Sequence, residues 1–261
     1  MSANIMFVDT EWVVSHLEDP SVCIVDCRKA RDYEQGHIPK SISLPITNLL
    51  KFSGLVCSYP SEADVEALLG SKGITNDLAI IAYDDHEGVY SARLMWTLEV
   101  FGHDKMGMLD RNFSVYLAEG KSATVERGSR PPAVFRATLD PSKIATKEYV
   151  LEKIESDPGK TIDTRAVNEY VKGHVPKSIN IPWTLNIGRD RNFRKVDELK
   201  GIFSRVGIAD DDELIAYCNT GMTASHTYYA LRRAGYKRVL LYPQSFSEWG
   251  TLPDLPKEYG S

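Results

Sequence analysis

One cysteine has the setting of a nucleophile. Cys218 follows the apolar run Leu214–Tyr217 and opens a short glycine-containing loop, after which a helical pattern begins. Backbone N–H groups of such a loop, together with the partial positive charge of a helix N-terminus, stabilise a thiolate relative to a thiol. The sequence therefore predicts nucleophilic chemistry at Cys218. The alternative is a buried, unreactive core cysteine. The predicted active-site loop continues through Asn219, Thr220, Gly221, Met222 and Thr223.

Spacing argues against two other uses of the cysteines. A cysteine phosphatase needs an arginine six positions after its cysteine to fork onto phosphate, and that position is Ala224 here. Cys23 and Cys27 are not accompanied by a second Cys/His pair at zinc-binding spacing. Four scattered cysteines are also too few for a disulfide scaffold in 261 residues. We expect no metal site and a reducing, cytoplasmic context.

An internal repeat defines the elements that position Cys218. Residues 24–45 and 161–182 align without gaps, and ten of these 22 positions are identical. A repeat longer than a solenoid unit indicates two homologous domains. The identical pairs include Asp26/Asp163, Arg28/Arg165, Gly36/Gly173, His37/His174 and Lys40/Lys177.

Each half alternates predicted strands and helices, which is typical of an α/β domain with a mainly parallel sheet flanked by helices. In the second half the pattern gives a helix over 145–154, strands over 161–163 and 214–217, and a helix over 223–234. Prolines and small residues over 127–138 read as a linker. The expected domains are therefore 1–126 and 139–261.

Three features of the chain resemble those of a known family. They are the two D-x-R…G-H-(I/V)-P segments, the strand–Cys–loop–helix and the closing Ser-Phe-Ser-Glu-Trp at 245–249. Together they resemble the two-domain rhodanese family of sulfurtransferases. The resemblance covers nearly the whole chain. It implies a catalytic cysteine in the C-terminal domain and a silent N-terminal copy. Asp84 aligns with Cys218, and a carboxylate cannot carry sulfur. The chain departs from many relatives at Lys40 and Lys177, where they have glycine, and at Pro243-Gln244, where they often have Asp-Gly.

The resemblance implies a double displacement without a metal or organic cofactor. Cys218 takes a sulfur from a donor as a persulfide and passes it to cyanide or a thiol, with ping-pong kinetics as the signature. Thiosulfate is the expected donor, and 3-mercaptopyruvate is the alternative, because the arginine-bearing insertion usual in mercaptopyruvate enzymes is absent between Asp163 and Gly173. A non-catalytic tandem binding module remains a further alternative.

The resemblance also suggests roles for three other residues. It assigns Arg165 to the anionic donor, although a structural ion pair is the alternative. Asp26 and His37, together with Thr220 in the loop, match positions proposed as a relay in mercaptopyruvate enzymes. Recurrence of the same Asp and His in the second copy favours a scaffold role for both.

The composition of the chain limits the kinds of partner that we expect the protein to bind. Basic and acidic residues number 31 and 36, for a net charge of −5, and no Lys/Arg-rich run is present, which argues against nucleic-acid and anionic-membrane binding. No apolar stretch approaches the roughly 20 residues that span a bilayer, and the N-terminus lacks the basic region of a secretory signal. We expect small sulfur donors and acceptors as partners, and a monomer or weak dimer.

Overall fold

The computed structural model describes residues 6–260, which form two α/β units, each built on its own parallel sheet. The first unit runs to Asp140 but omits Lys51–Ser58, and these residues belong with the chain from Pro141 onward to the second unit. Both units match the α/β class predicted from the repeat.

The elements before the second repeat follow the predicted alternation. In chain order they are β1 (Met6–Val8), α1 (Thr10–Ser15), β2 (Val22–Asp26), α2 (Ala30–Gln35), β3 (Ile42–Ser43), β4 (Lys51–Ser53), β5 (Val56–Ser58), α3 (Glu62–Ser71), β6 (Ala79–Tyr83), α4 (Val89–Val100), β7 (Met106–Leu109) and α5 (Phe113–Ala118).

The second repeat has a similar succession. Its elements are α6 (Lys147–Ser156), β8 (Thr161–Asp163), α7 (Val167–Tyr170), β9 (Ile179–Asn180), α8 (Val196–Ser204), β10 (Glu213–Tyr217), α9 (Met222–Arg233), β11 (Arg238–Leu241) and α10 (Ser245–Trp249). A 3-10 turn follows β3 at Ile46–Leu49 and another follows β9 at Trp183–Asn186, so the two copies agree in irregular structure as well.

The sheet of the first unit has the order β1-β7-β6-β2-β3, and every neighbouring pair is parallel. Every residue of β2 is buried, as are four of the five residues of β6. Strands covered on both faces are near-continuous apolar runs, which is the pattern that the sequence shows. A core cluster of this unit includes Val13, Ile24, Ile81 and Tyr116.

The sheet of the second unit has the order β11-β10-β8-β9 and is also parallel throughout. β10 lies inside the sheet between β8 and β11, and its last four residues are buried. A core cluster of this unit includes Val150, Val175, Tyr217 and Trp249. The indole Nε1 of Trp249 donates to the carbonyl of Pro256 at 2.8 Å, which satisfies the polar atom of this buried side chain.

The stretch 127–138, expected as a linker, is hydrogen-bonded to the rest of the first unit. The amide of Ala133 donates to the carbonyl of Gly70 at 2.9 Å, and that of Thr138 donates to the carbonyl of Phe101 at 3.1 Å. The side chain of Phe135 is buried. Because these contacts satisfy its backbone and bury an aromatic ring, the stretch is an ordered strap, and the second unit begins at Pro141.

The antiparallel hairpin β4–β5 is the other departure from the expected bounds, which placed it in the N-terminal domain. It packs on α10 within the second unit. The amide of Cys57 donates to Ser247 Oγ at 3.3 Å, and Gln244 Nε2 donates to Ser58 Oγ at 3.4 Å. These contacts explain why the hairpin belongs with the second unit although its sequence precedes the strap.

No helix among residues 6–260 combines the length and the apolar character needed to cross a bilayer.

Candidate active site

Cys218 lies at the carboxyl end of β10, where a parallel α/β sheet typically binds its ligands. Gly221 has φ 75° and N-caps α9, and this left-handed conformation turns the chain sharply from the strand into the helix. The Cys218 side chain is buried, with 3% exposure. The predicted loop thus lies between an interior strand and a helix N-terminus.

Contacts with α10 and the turn before it hold the back of the loop. The amide of Cys218 donates to Ser245 Oγ at 3.1 Å, and that hydroxyl donates to the carbonyl of Tyr242 at 2.7 Å. The carbonyls of Cys218 and Asn219 accept from the amides of Phe246 and Ser247, each at 2.9 Å. The closing Ser-Phe-Ser-Glu-Trp segment therefore fixes the loop through three hydrogen bonds.

The front of the loop carries backbone donors. Within residues 6–260, the amides of 219–224 donate to no backbone or side-chain acceptor, and the first helical hydrogen bond of α9 runs from the amide of Ser225 to the carbonyl of Gly221. The side chain of Thr223 is tied to that of Thr164, Oγ1 to Oγ1 at 3.2 Å. Free amides at a helix N-terminus are suited to an anion.

A cavity of about 250 Å³ opens beside Cys218. It brings the loop residues together with α7 and the 3-10 turn after β9. Its lining consists of Arg165, Ala166, Glu169, Trp183, Cys218, Asn219, Thr220, Met222 and Thr223.

Arg165 lines this cavity, but most of its guanidinium is engaged by its own unit. Nε donates to both carboxylate oxygens of Asp163 at 3.0 Å, and Nη2 donates to Asp163 Oδ2 at 2.6 Å and to the carbonyl of Gly173 at 2.8 Å. Its plane stacks on Phe246 at 4.0 Å. Burial lowers the pKa of Arg165, but the Asp163 carboxylate outweighs it and raises the pKa overall. Among the described residues, Nη1 has no hydrogen-bond partner.

Arg28 repeats this arrangement in the first unit. Its Nε and Nη2 bond to the Asp26 carboxylate at 2.5–3.1 Å, Nη2 also donates to the carbonyl of Gly36, and the guanidinium stacks on Phe113 at 4.1 Å. A matching contact set in the copy that has Asp84 in place of the loop cysteine indicates that the Asp–Arg pair is part of the scaffold. A role in substrate binding at Arg165 would rest on Nη1.

Asp84 occupies in the first unit the position of Cys218, at the end of β6. Its Oδ1 accepts from the amides of His86 and Gly88 at 2.7 and 3.0 Å, and its Oδ2 accepts from the amide and hydroxyl of Ser91 at 2.8 and 2.9 Å. Gly88 has φ 81° and precedes α4, as Gly221 precedes α9. The carboxylate is therefore bound as an internal anion by the loop of the silent copy.

The structure places Asp26 and His37 in the first unit, outside the lining of the cavity. His37 is buried and stacked on Tyr33 at 3.6 Å, with Nδ1 2.8 Å from the carbonyl of Tyr33 and Nε2 2.9 Å from that of Glu126. His174 makes the matching stack on Tyr170 and the matching Nδ1 contact. These contacts favour the scaffold role.

The other cysteines are buried free thiols. Burial raises the pKa of Cys23 to about 11 and raises that of Cys27 well above its usual value. Cys23 borders a cavity of about 400 Å³ in the first unit, but a thiol with that pKa is a poor nucleophile at neutral pH. Among the described residues, no three His, Cys, Asp or Glu side chains are grouped so that they could hold a metal ion.

The sequence analysis did not single out Glu169 or Trp183 as cavity residues, and it did not foresee the contact of Ser245 with Cys218. Glu169 follows Arg165 by four positions, but Arg165 precedes Ala166, the N-cap of α7, so this spacing carried no helix-face signal. Ser245 stood in the closing motif, but its hydroxyl contact depends on the turn after β11.

The fold and the repeat identify the class of protein. The family model for the rhodanese-like domain matches residues 9–119 and again residues 146–252. The chain belongs to the rhodanese family, and both copies of the repeat are rhodanese-like domains, as the sequence motifs indicated.

Particular relatives resemble the chain over nearly its whole length. A thiosulfate sulfurtransferase of Cricetulus griseus is 32% identical and aligns over 93% of this chain and 91% of the relative. The sulfur carrier protein TtuD of Thermus thermophilus is 28% identical, with 96% and 95% covered. Among solved structures, SseA from Escherichia coli, a 3-mercaptopyruvate sulfotransferase, is similar at 26% identity and a TM-score of 0.85, with 92% and 98% covered.

Proposed function

We propose that the protein transfers a sulfane sulfur from thiosulfate to cyanide or a thiol through a persulfide on Cys218. The observation that carries the proposal is the loop after β10. It places a single cysteine at the edge of a cavity, beside backbone amides that have no protein acceptor among residues 6–260. Thiosulfate sulfurtransferases among the relatives support the same reaction.

The reaction has two half-steps. In the first, the Cys218 thiolate attacks the outer sulfur of thiosulfate, the S–S bond of the donor breaks with its electron pair on the leaving sulfite, and Cys218 becomes a persulfide anion. In the second, an acceptor attacks the outer sulfur of that persulfide, and the electron pair of the broken bond returns to Cys218. Cyanide leaves as thiocyanate. Splitting the transfer in this way is what a nucleophilic cysteine contributes.

The silent copy supports the role of the loop amides. The amides of His86, Gly88 and Ser91 hold the Asp84 carboxylate. The Cys218 loop is one residue shorter, and it too ends in a left-handed glycine, Gly221, before its helix. The amides of the second loop would hold the thiolate and the persulfide by the same kind of charge-assisted hydrogen bond.

Arg165 belongs to the proposed site as the cation of the cavity lining. Nη1 is the nitrogen that would contact the sulfonate end of the donor. Asn219, Thr220, Met222 and Thr223 shape the cavity, and Gly221 sets the turn. Asp26 and His37 are proposed as scaffold residues.

A second donor, 3-mercaptopyruvate, is favoured by the similarity to SseA. Orienting a carboxylate well calls for a bidentate guanidinium, and Arg165 already gives two of its three nitrogens to Asp163 and Gly173. We therefore place thiosulfate first. The ratio of kcat/KM for the two donors with cyanide as common acceptor decides between them, and a higher value for mercaptopyruvate would reverse the order.

Initial rates at varied thiosulfate and cyanide test the function. Parallel double-reciprocal lines and thiocyanate formation are expected, as is loss of both in Cys218→Ser. Intersecting lines would contradict the double displacement. We also propose a reducing, cytoplasmic location, because all four thiols are free, and a monomer or weak dimer, which light scattering would check.

A further inference from the structure

The cavity beside Cys218 has an unusual balance of charge for a site that handles anions. Of its lining residues, Arg165 and Glu169 are the charged ones. Arg165 is paired with the Asp163 carboxylate through three hydrogen bonds, so this pair is close to neutral. The lining residues together with Asp163 thus leave one negative charge, on Glu169, in addition to the sulfur of Cys218.

Glu169 is held at the loop itself. It lies in α7, half-buried, and its Oε1 accepts from Asn219 Nδ2 at 2.6 Å. Its Oε2 accepts no hydrogen bond from any residue of 6–260. Asn219 is the residue after Cys218, so the carboxylate is fixed next to the reacting cysteine and keeps one oxygen for a ligand.

The size of the cavity makes this charge effective. A volume of about 250 Å³ corresponds to a width on the order of 8 Å, similar to the Debye length at physiological salt. A group inside the cavity therefore lies within about one Debye length of Glu169, and salt screens their interaction only in part. An ammonium group is attracted there and a carboxylate is repelled.

We propose that Glu169 is a specificity-determining residue that selects the sulfur acceptor: it favours thiols with an ammonium group close to the sulfur over neutral and anionic thiols. The inference rests on the proposed function. In the step concerned, the acceptor sulfur bonds to the outer sulfur of the persulfide and the Cys218 S–S bond breaks. Its electron pair stays on Cys218, and the proton of the acceptor thiol ends on the product persulfide or in solvent.

The test compares three thiols of similar size and different charge: cysteamine, 2-mercaptoethanol and 3-mercaptopropionate. Cys218 is loaded with sulfur, and kcat/KM for each acceptor is measured in the wild type and in Glu169→Gln. The amide oxygen of glutamine can still accept from Asn219, so the exchange removes charge and keeps the contact. Comparing the same thiol in two proteins cancels the thiol's own acidity.

We expect Glu169→Gln to lower kcat/KM for cysteamine about fivefold, to leave that for 2-mercaptoethanol unchanged and to raise that for 3-mercaptopropionate by a similar factor. Rising salt should weaken cysteamine turnover in the wild type and have little effect in the variant. The matched control is Asp32→Asn, at the corresponding position of the silent copy, and it should change none of these ratios.

An equal change for all three thiols, or no change, would overturn the proposal, because a structural role does not sort acceptors by charge. Failure of the donor assignment is distinguishable from this result. If thiosulfate does not load Cys218 but 3-mercaptopyruvate does, the acceptor series is run on protein loaded by mercaptopyruvate. If neither donor loads Cys218, the proposed function and the role of Glu169 both fall.

Discussion

Asp84 and Cys218 mark the difference between the two copies at the scale of single residues. Both follow an interior strand of a parallel sheet and precede a helix capped by a left-handed glycine. In the first unit, the carboxylate occupies the loop by accepting four hydrogen bonds from it. In the second unit, the shorter thiol side chain leaves the amides available. A loop of backbone amides before a helix thus stabilises the fold in one copy, and we propose that it supports catalysis in the other.

Removing the Asp84 carboxylate should destabilise the first unit. Asp84→Ala leaves four donors without their acceptor, and the two on Ser91 are buried, so we expect a loss of about 2–4 kcal/mol in the free energy of unfolding. Sulfur transfer at Cys218 should keep its kcat/KM in the folded variant. Urea unfolding followed by circular dichroism measures the loss.

Asp85→Ala is the matched control for this prediction. Asp85 is the exposed neighbour and accepts from the amide and hydroxyl of Ser114. Its removal should lower stability by less than about 1 kcal/mol. Equal effects of the two variants would show that the buried loop gives Asp84 no special role.

The sequence predicted the candidate nucleophile because its signal is local: an apolar strand, one cysteine, a glycine and a helix adjoin in the chain. It could not predict the contact of Ser245 with the Cys218 amide or that of Glu169 with Asn219. These residues lie far from Cys218 in the chain, and their contacts depend on how separate elements end at one edge of the sheet.

At the scale of elements, the turns before β3 and β9 explain a departure from the family pattern. Lys40 has φ 63° and Lys177 has φ 57°, the left-handed conformation that favours the glycine found there in many relatives. The lysines therefore keep the turn geometry at some conformational cost. Both side chains are exposed, so the backbone conformation is the main structural constraint on the residue type at these two positions.

Lys177→Gly should stabilise the second unit by about 0.5–1 kcal/mol, because glycine adopts this φ without a Cβ clash. Lys40→Gly should gain less, since Lys40 also forms an ion pair with Glu18. Thermal unfolding of both variants checks the order. A loss of stability in Lys177→Gly would contradict the reading of this turn.

The start of β10 is joined to its neighbours by Glu213. Burial raises the pKa of Glu213, but contacts with Tyr149, Lys153 and Arg238 outweigh it and lower the pKa to about 2. A carboxylate with a lowered folded-state pKa adds stability above its ordinary value of 4.5, and this stability is lost as pH falls through 2.

Stability of the second unit should therefore decline between about pH 5 and pH 2 partly through Glu213. In Glu213→Gln, we expect a loss of about 1 kcal/mol at pH 7 and a smaller difference from the wild type at pH 3. Urea midpoints at the two pH values measure it. A difference that grows toward low pH would have the wrong sign for this account.

The helices and strands themselves were predictable because each carries its own pattern. The expected helix over 223–234 is Met222–Arg233, and the expected strand over 161–163 is Thr161–Asp163. The hairpin β4–β5 was not predicted, because its mostly exposed residues lack the apolar alternation of a half-buried strand.

At the scale of the whole molecule, the sequence predicted the duplication, but it did not predict to which unit every segment belongs. Ten identical positions in the repeat indicated two homologous domains. Residues 51–58 lie in the first repeat by sequence and in the second unit by contact. Alignment of repeats carries no information on which body a variable insertion packs against, and this is why the hairpin was misplaced by the sequence boundaries.

A fragment of residues 139–261 should accordingly be weaker than the second unit of the full chain. It lacks the hairpin that bonds to Ser247 and Gln244 and buries Cys57, and we expect a loss of about 1–2 kcal/mol in its stability. A full chain with 51–58 replaced by a glycine-serine loop is the control and should show a similar loss. If chemical unfolding shows both proteins to be as stable as the second unit of the intact chain, the assignment of the hairpin to that unit is contradicted.

The most direct test of the central claim is the mass of Cys218 after the protein meets thiosulfate. Peptide mass spectrometry should find one added sulfur atom on Cys218 and none on Cys23, Cys27 or Cys57, which are not among the residues that line the cavity at the loop. Cyanide should then remove that sulfur as one equivalent of thiocyanate, and Cys218→Ser should acquire none. Added sulfur on another cysteine, or turnover retained by Cys218→Ser, would contradict the persulfide mechanism.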